Sequence, residues 1–243
     1  MANSGTGNTS RRVIRSNGRA QHTGRARVTR SRTTKGAMAE LFPMFLKLEG
    51  RPCLVVGGGR VAESKIESLV RCGARVRVIA PAATDTVRES AKAGKIEWEP
   101  RAFSLSDLTG VFLVVAATSS QVRHEQIFQQ ARRAGILCNV VDEPARCDFY
   151  YPAVVRRGPL QIAVSTSGRS PALAQRLRQE LERHFDADYG VWTEEIGRAR
   201  SALLRHKISP EKRKQLLRRI SSQRAFDQFR QSAKLVRAEK DQA

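Results

Sequence analysis

No apolar run in these 243 residues reaches the ~18–20 needed to cross a bilayer, and the N-terminus lacks the apolar stretch of a secretory signal. A cytoplasmic protein without membrane association is the expectation. Cysteine is sparse. Cys53, Cys72, Cys138 and Cys147 form no C-x-x-C pair and have no histidine at zinc-ligand spacing, so neither a disulfide framework nor a metal site is indicated. His22, His124, His184 and His206 are scattered singly, and none is assigned a ligand role. No internal repeat is visible.

Acid is the other shortage: 23 Asp and Glu stand against 44 Lys and Arg, a formal net charge of +21. Such a surplus first suggests a nucleic-acid binder. Its distribution argues otherwise. Residues 1–40 carry a surplus of eight and residues 193–243 another eight, which leaves +5 across residues 41–192. The middle of the chain is therefore an ordinary globular protein, and it holds no basic strand interleaved with aromatics.

Residues 1–37 are Ser, Thr, Gly, Asn and Arg with almost no large apolar side chains, a composition that cannot offset the entropy of ordering a chain. They read as a disordered basic arm. Three origins compete for it: a tail for nucleic acid or an anionic surface, a targeting peptide, or upstream sequence translated from an early start codon. Met38, just before the apolar stretch 41–46, favours the last.

From residue 51 the pattern is regular. Strand-like segments at 53–56, 75–79, 96–99, 111–117 and 136–141, of which 53–56 and 111–117 are continuous apolar runs, alternate with helix-like stretches at 61–72, 84–93 and 120–134. That rhythm predicts an α/β, Rossmann-type, doubly wound parallel sheet. Beyond Pro144 it changes. Segments 149–155 and 160–165 read as two strands around a Gly158-Pro159 turn, and Ser170-Pro171 opens a helix with Leu173, Leu177, Leu181 and Phe185 on one face. Residues 188–243 are charged and helix-prone, with Trp192, Ile196, Leu203, Leu204, Leu216, Leu217, Ile220, Phe226, Phe229 and Leu235 as candidate buried positions.

Three motifs carry chemistry. Gly57-Gly58-Gly59-Arg60-Val61-Ala62 fits G-x-G-x-x-A directly after a buried strand and at the start of a helix. Glycines allow the tight turn and the approach of a pyrophosphate to the backbone, while the helix N-terminus supplies free N–H groups. The alternative is a glycine turn without a ligand. The acid expected at the end of the second strand is missing, since Ile79-Ala80-Pro81-Ala82 stands there, so NAD and NADP are not distinguished. Arg60 or Arg77 can tolerate a 2′-phosphate, though Arg77 reads better as a solvated strand-end charge.

The second motif, Asn139-Val140-Val141-Asp142, ends the fifth strand, where ligands of open α/β sheets bind. Asp142 there is either a general base or a plain turn residue. The third, running from Val164 to Pro171 with Ser165, Thr166, Ser167, Arg169 and Ser170, is rich in donors suited to carboxylates or phosphates; solvated neighbours of a helix cap are the alternative.

In this order and spacing the segments resemble the precorrin-2 dehydrogenase family, meaning the N-terminal module of siroheme synthase and its stand-alone relatives. The matching stretches are 41–48, 55–65, Val115-Ala116-Ala117-Thr118, Cys138-Asn139-Val140-Val141-Asp142 and 165–171, and the likeness covers about residues 38–205.

The resemblance implies an NAD-dependent enzyme that oxidises precorrin-2 to sirohydrochlorin, with loss of a hydride to the nicotinamide and of a proton. It makes Asp142 the catalytic general base. In bifunctional relatives this aspartate also serves ferrous-ion insertion, and no metal-ligand cluster here decides on that activity. Gly57, Gly58, Gly59, Arg60 and Val61 match the pyrophosphate loop, Pro81 and Ala82 the adenosine side, and Thr118 a position near the cofactor. Asn139, Thr166 and Arg169 fall to the tetrapyrrole side, where Arg156 and Arg169 can steer a polycarboxylate.

A homodimer is implied, with a dinucleotide-binding domain over 38–148, a dimerisation segment over 149–182 and a C-terminal helical lobe over 183–243. A chain of 243 residues has no room for the methyltransferase module of the fused enzyme, so that step is expected of another protein. The rival reading is a redox-sensing or nucleic-acid-binding Rossmann protein that uses its basic ends.

Overall fold

The computed structural model describes residues 40–240, with side chains through residue 233. The basic arm 1–37 and the side chain of Leu235 lie outside the described residues.

The strand-like segments form a five-stranded, all-parallel sheet in the order β3-β2-β1-β4-β5. The strands are β1 (Pro52–Val56), β2 (Arg75–Ile79), β3 (Glu97–Glu99), β4 (Leu113–Ala116) and β5 (Leu137–Val140). Alternate residues of each run serve opposite faces. Cys53 and Val55 of β1 join Val76, Val78, Leu113 and Val115 under α1 (Arg60–Arg71) and α2 (Asp85–Lys92), where Ala62, Ile66, Leu69 and Val87 close the layer. Leu54 and Val56 join Ile79, Val114, Ala116, Cys138 and Val140 under α3 (Gln121–Ala134) through Ile127 and Ala131. Burial on both faces is why β1 and β4 read as unbroken apolar segments, whereas β2 carries Arg75 and Arg77 and the short edge strand β3 is Glu97-Trp98-Glu99. The expected doubly wound fold class is the one observed.

A β-hairpin follows, β6 (Ala153–Arg157) and β7 (Leu160–Val164), then α4 (Pro171–His184) with Ser170 as its N-cap, the Ser170 hydroxyl accepting from Leu173 N–H at 3.2 Å. The first hairpin strand starts later than the sequence suggests. Phe149 and Tyr151 pack their rings together, 5.6 Å apart, against the α1 side of the sheet instead of entering a ladder. Leu177, Leu181 and Phe185 are partly buried on one face of α4, whereas Leu173 is exposed.

Three helices complete the described residues: α5 (Ala187–Arg205), α6 (Pro210–Ile220) and α7 (Gln223–Lys240). Their centre is Phe226, 1% exposed, its ring tilted against Tyr189 at 4.1 Å and Trp192 at 4.7 Å. Leu204, a candidate core position, is exposed. The lobe is fixed to the hairpin by backbone proximity: a Cβ on Gly190 of α5 would stand 2.9 Å from the carbonyl carbon of Arg157, and Arg157 donates to the carbonyls of Phe185 and Glu182.

Candidate functional site

The register Val56↔Ala116↔Val140 brings three chain ends to one edge of the sheet. From β1 the chain crosses over α1 to β2 on one side, while β4 lies on the other, so the crevice above β1 and β4 is the topological switch point. Gly57 follows β1, Ala117 and Thr118 follow β4, and Val141 and Asp142 follow β5.

The glycine loop is shaped by lack of room. Gly57 has φ +126°, and a Cβ there would overlap the carbonyl oxygen of Ala117 and stand 2.8 Å from its carbonyl carbon. On Gly58 it would lie 2.5 Å from the carbonyl oxygen of Ala82. Gly59 differs: its Cβ position meets nothing within 4 Å, and as the N-cap of α1 it offers no side chain to the first turn. Two glycines thus close the backbone on itself, while the third faces open space beside uncapped N–H groups at a positive helix end. An anionic diphosphate fits that geometry. Arg60, Val61, Pro81 and Ala82 are exposed around it.

Arg77 is not the solvated charge expected from the sequence. It is half-buried, pairs with Glu99 at 3.1 Å and donates to the Asp107 carbonyl at 2.6 Å. Its guanidinium is committed to the β2–β3 edge, which removes it from contention for a 2′-phosphate.

Asp142 is exposed at φ +62°, the left-handed region that L-residues seldom enter. The turn around it is densely tied. Glu143 N–H donates to the Val140 carbonyl at 3.2 Å, Cys147 Sγ donates to the same carbonyl at 3.1 Å, and Asp148 accepts from Cys138 N–H at 2.9 Å. Asn139 is buried and spends its amide on the Phe149 carbonyl at 2.8 Å. The same amide nitrogen lies 3.4 Å from Cys147 Sγ, so the Asn139 side chain ties β5 to the returning 147–149 segment. Thr118 Oγ1 accepts from Ser120 N–H at 3.2 Å at the mouth of α3.

Lys65 was not singled out by sequence reasoning. It sits on the apolar stripe of α1 with Ala62, Ile66 and Leu69, half-buried, its Nζ 4.1 Å from the centroid of the Tyr151 ring. Burial pushes the Lys65 ammonium below the usual lysine range, and the Asp142 carboxylate partly reverses this. Tyr151 is itself held above the usual phenol range by burial, and its hydroxyl is enclosed without a hydrogen-bond partner. A lysine on a buried stripe was the signal in the sequence.

The 165–170 loop is ordered internally. Thr166 Oγ1 accepts from Ser170 N–H at 3.0 Å and donates to the Ser170 carbonyl at 3.1 Å, while Arg169 is exposed. Among the described residues no hydrogen bond or ion pair joins this loop to the crevice. The structure therefore brings together Gly57–Val61, Ala82, Thr118 and Asp142, with Lys65, and leaves Thr166 and Arg169 at the end of β7.

Residues 44–153 match the family described as putative NAD(P)-binding, and residues 157–184 match the central segment of sirohaem biosynthesis proteins. The chain is thus a Rossmann protein of the NAD(P)-binding class. Siroheme synthase 1 of Serratia proteamaculans is 38% identical over 187 residues, 77% of this chain and 37% of that protein. A siroheme synthase of Nitrosococcus oceani is 41% identical over 164 residues, 68% of this chain and 35% of its own length. The solved structure of SirC, a precorrin-2 dehydrogenase, superposes with a TM-score of 0.64 at 28% identity, covering 79% of this chain and 98% of SirC. The chain belongs to the siroheme-biosynthesis family that these siroheme synthases and SirC represent. It spans two fifths or less of the length of these siroheme synthases.

Proposed function

We propose that the protein oxidises precorrin-2 to sirohydrochlorin with NAD as acceptor. One observation carries the reading: the open face of Gly59 and the carboxylate of Asp142 stand at the ends of strands in one sheet edge, in a chain whose likeness to SirC runs over 98% of that enzyme.

In this reading the backbone N–H groups at the start of α1 hold the diphosphate, with Arg60 and Val61 at its rim, Pro81 and Ala82 against the adenosine and Thr118 near the nicotinamide. NAD, when bound, supplies the hydride acceptor. Asp142 takes the proton that leaves the macrocycle in the same oxidation, so each turnover gives sirohydrochlorin, NADH and one proton. Lys65 offers a partly desolvated cation to a substrate carboxylate beside Asp142. Asn139 fixes the turn that carries the base. Thr166 and Arg169 meet the outer carboxylates, steered by the positive surface.

We place the dinucleotide-binding domain at 38–148, a dimerisation segment at 149–182 and the helical lobe at 183–243, in a cytoplasmic homodimer. Support for dimerisation comes from β6 and β7, a two-stranded sheet with both edges unpaired among the described residues, a form that is marginal alone. Support for the compartment comes from four free thiols. Ferrous ion enters as a second substrate, inserted into sirohydrochlorin. Anaerobic incubation of the chain with precorrin-2 and NAD tests the oxidation, and incubation with sirohydrochlorin and ferrous or cobaltous ion tests the insertion. Absence of NADH and sirohydrochlorin in the first overturns the main reading.

A further inference from the structure

We propose that His124 is a positioning residue for Asp142, acting through Glu143; the inference rests on the reading of Asp142 as the base. His124 lies in the first turn of α3 and is 5% exposed, although no step of the oxidation uses it. Its Nδ1 stands 2.6 Å from Glu143 Oε1. A carboxylate only accepts, so Nδ1 carries the proton and donates it. The other ring nitrogen is buried without a hydrogen-bond partner, which leaves Glu143 as the ring's single polar attachment among the described residues. A buried imidazole with one bond is expensive to keep unless that bond is used.

The rest of the cluster forms a second grip beside the first. Arg146 pairs with the other carboxylate oxygen of Glu143, and its Nε donates to Glu125 Oε2 at 2.7 Å. Consecutive residues of α3, His124 and Glu125, thus hold the two ends of the segment 143–146. Asp142, at φ +62°, immediately precedes that segment. A non-glycine residue stays in the left-handed region only when its surroundings over-determine it. Release of Glu143 frees the Asp142 backbone to relax toward negative φ and to swing its carboxylate away from the crevice.

The same helix reaches the cofactor side. Ser120 N–H donates to Thr118 Oγ1 at 3.2 Å, His124 N–H donates to the Ser120 carbonyl at 3.0 Å, and His124 Nδ1 then meets Glu143. A continuous hydrogen-bonded path therefore runs from the end of β4 to the residue after Asp142. It sets the base relative to the nicotinamide side of the site, a relation in which a displacement of about 1 Å can cost on the order of 100-fold in rate.

The test compares His124→Leu, His124→Asn, Glu143→Ala, Glu143→Gln and the double variant His124→Leu/Glu143→Ala with the full-length protein. NAD affinity, KM for precorrin-2 and kcat are measured together. His124→Leu and Glu143→Ala are expected to lower kcat by roughly 10- to 100-fold, with NAD affinity within about twofold of wild type. His124→Asn places an amide N–H where Nδ1 was, and Glu143→Gln keeps an acceptor oxygen; both are expected to recover most of kcat. The double variant is expected to be no slower than the worse single one, as for two residues acting as a unit. Wild-type kcat in His124→Leu overturns the inference. So does equal loss in His124→Asn and His124→Leu, or a loss of NAD affinity in step with kcat, because each describes general loosening instead of placement. Asp142→Ala, run alongside, separates the two readings: if it turns over normally the base assignment falls, whereas an inactive Asp142→Ala beside a fully active His124→Leu sinks the positioning role alone.

Discussion

The carbonyl of Ala117 occupies the place that a Cβ on Gly57 would need, so β1 and β4 meet at the crevice with no side chain between them. Gly57→Ala therefore adds a backbone clash to the strain of φ +126°, and a loss of about 3 kcal/mol or more in urea unfolding is expected. Gly59→Ala is the contrast. Its φ is −83° and its Cβ position is open within 4 Å, so stability should change by no more than about 0.5 kcal/mol while calorimetric NAD affinity falls about tenfold. Equal loss of stability in both variants contradicts the division of labour within the loop.

Lys65→Met keeps the length and apolar stem of the side chain and removes a partly desolvated charge. The variant should be as stable as wild type or slightly more so, since burial opposes the ammonium. Turnover should fall about tenfold, mainly through KM for the tetrapyrrole. A normal KM removes Lys65 from the substrate site.

Burial pushes the Cys53 thiol up to about 11, with Cys72 adding to it, and the Cys138 thiol up to about 12, with Asp148 and Cys147 adding to it. Both folded values exceed the usual ~8.5, so the folded state holds more protons than the unfolded one above that pH. The associated stability is complete below pH ~8.5 and is lost as pH rises through the folded values, at up to about 1.4 kcal/mol per pH unit for each thiol. Urea titrations at about pH 8 and pH 10 should show a steeper loss for wild type than for Cys53→Ala/Cys138→Ala, whatever other groups titrate. Native-state thiol labelling should reach Cys72, which is exposed, well before Cys53 and Cys138.

At the far edge of the sheet, Asp107 is 5% exposed and binds Arg101 through both carboxylate oxygens at 2.6 and 2.9 Å. The Arg101 guanidinium holds the Asp107 carboxyl below the usual carboxylate range against the opposing effect of burial. A lowered folded value contributes stability present above the ordinary ~3.9 and lost as pH falls through the folded value. Asp107→Ala should cost about 3 kcal/mol near neutral pH because Arg77 and Arg101 lose the more buried of the two carboxylates they share. The difference from wild type should shrink in acid. A pH-independent difference would place the effect in packing.

Much of this was legible in the residues. Strands β1 and β4 follow from apolar runs too short for helices and too continuous for half-exposed strands, the glycine loop follows from its place between one such run and a helix, and β2 and β3, which carry Arg75, Arg77, Glu97 and Glu99, follow from the alternation with helices. Asp142 could be located at a strand end, though only the family resemblance singled it out as a base. What escaped the sequence depends on distance along the chain. Lys65 and Tyr151 are 86 residues apart, His124 and Glu143 are 19 apart, and only packing of α1 and α3 on the sheet makes them neighbours. Arg77 looked solvated because its partners, Glu99 and Asp107, arrive from later elements. Asn139 looked available because the backbone that consumes its amide, at Phe149, returns through a bridge between Asn139 and Cys147 that no local pattern announces.

The proposed oxidation turns on Asp142 as the base that takes the proton from precorrin-2 while NAD takes the hydride. Anaerobic turnover of wild type and Asp142→Ala with precorrin-2 and NAD, followed by NADH absorbance and by the sirohydrochlorin spectrum, tests it most directly. Wild type should form NADH and sirohydrochlorin in equal amounts, and Asp142→Ala should bind NAD normally and form neither. Equal rates in the two proteins, or no NADH from wild type, would contradict the account.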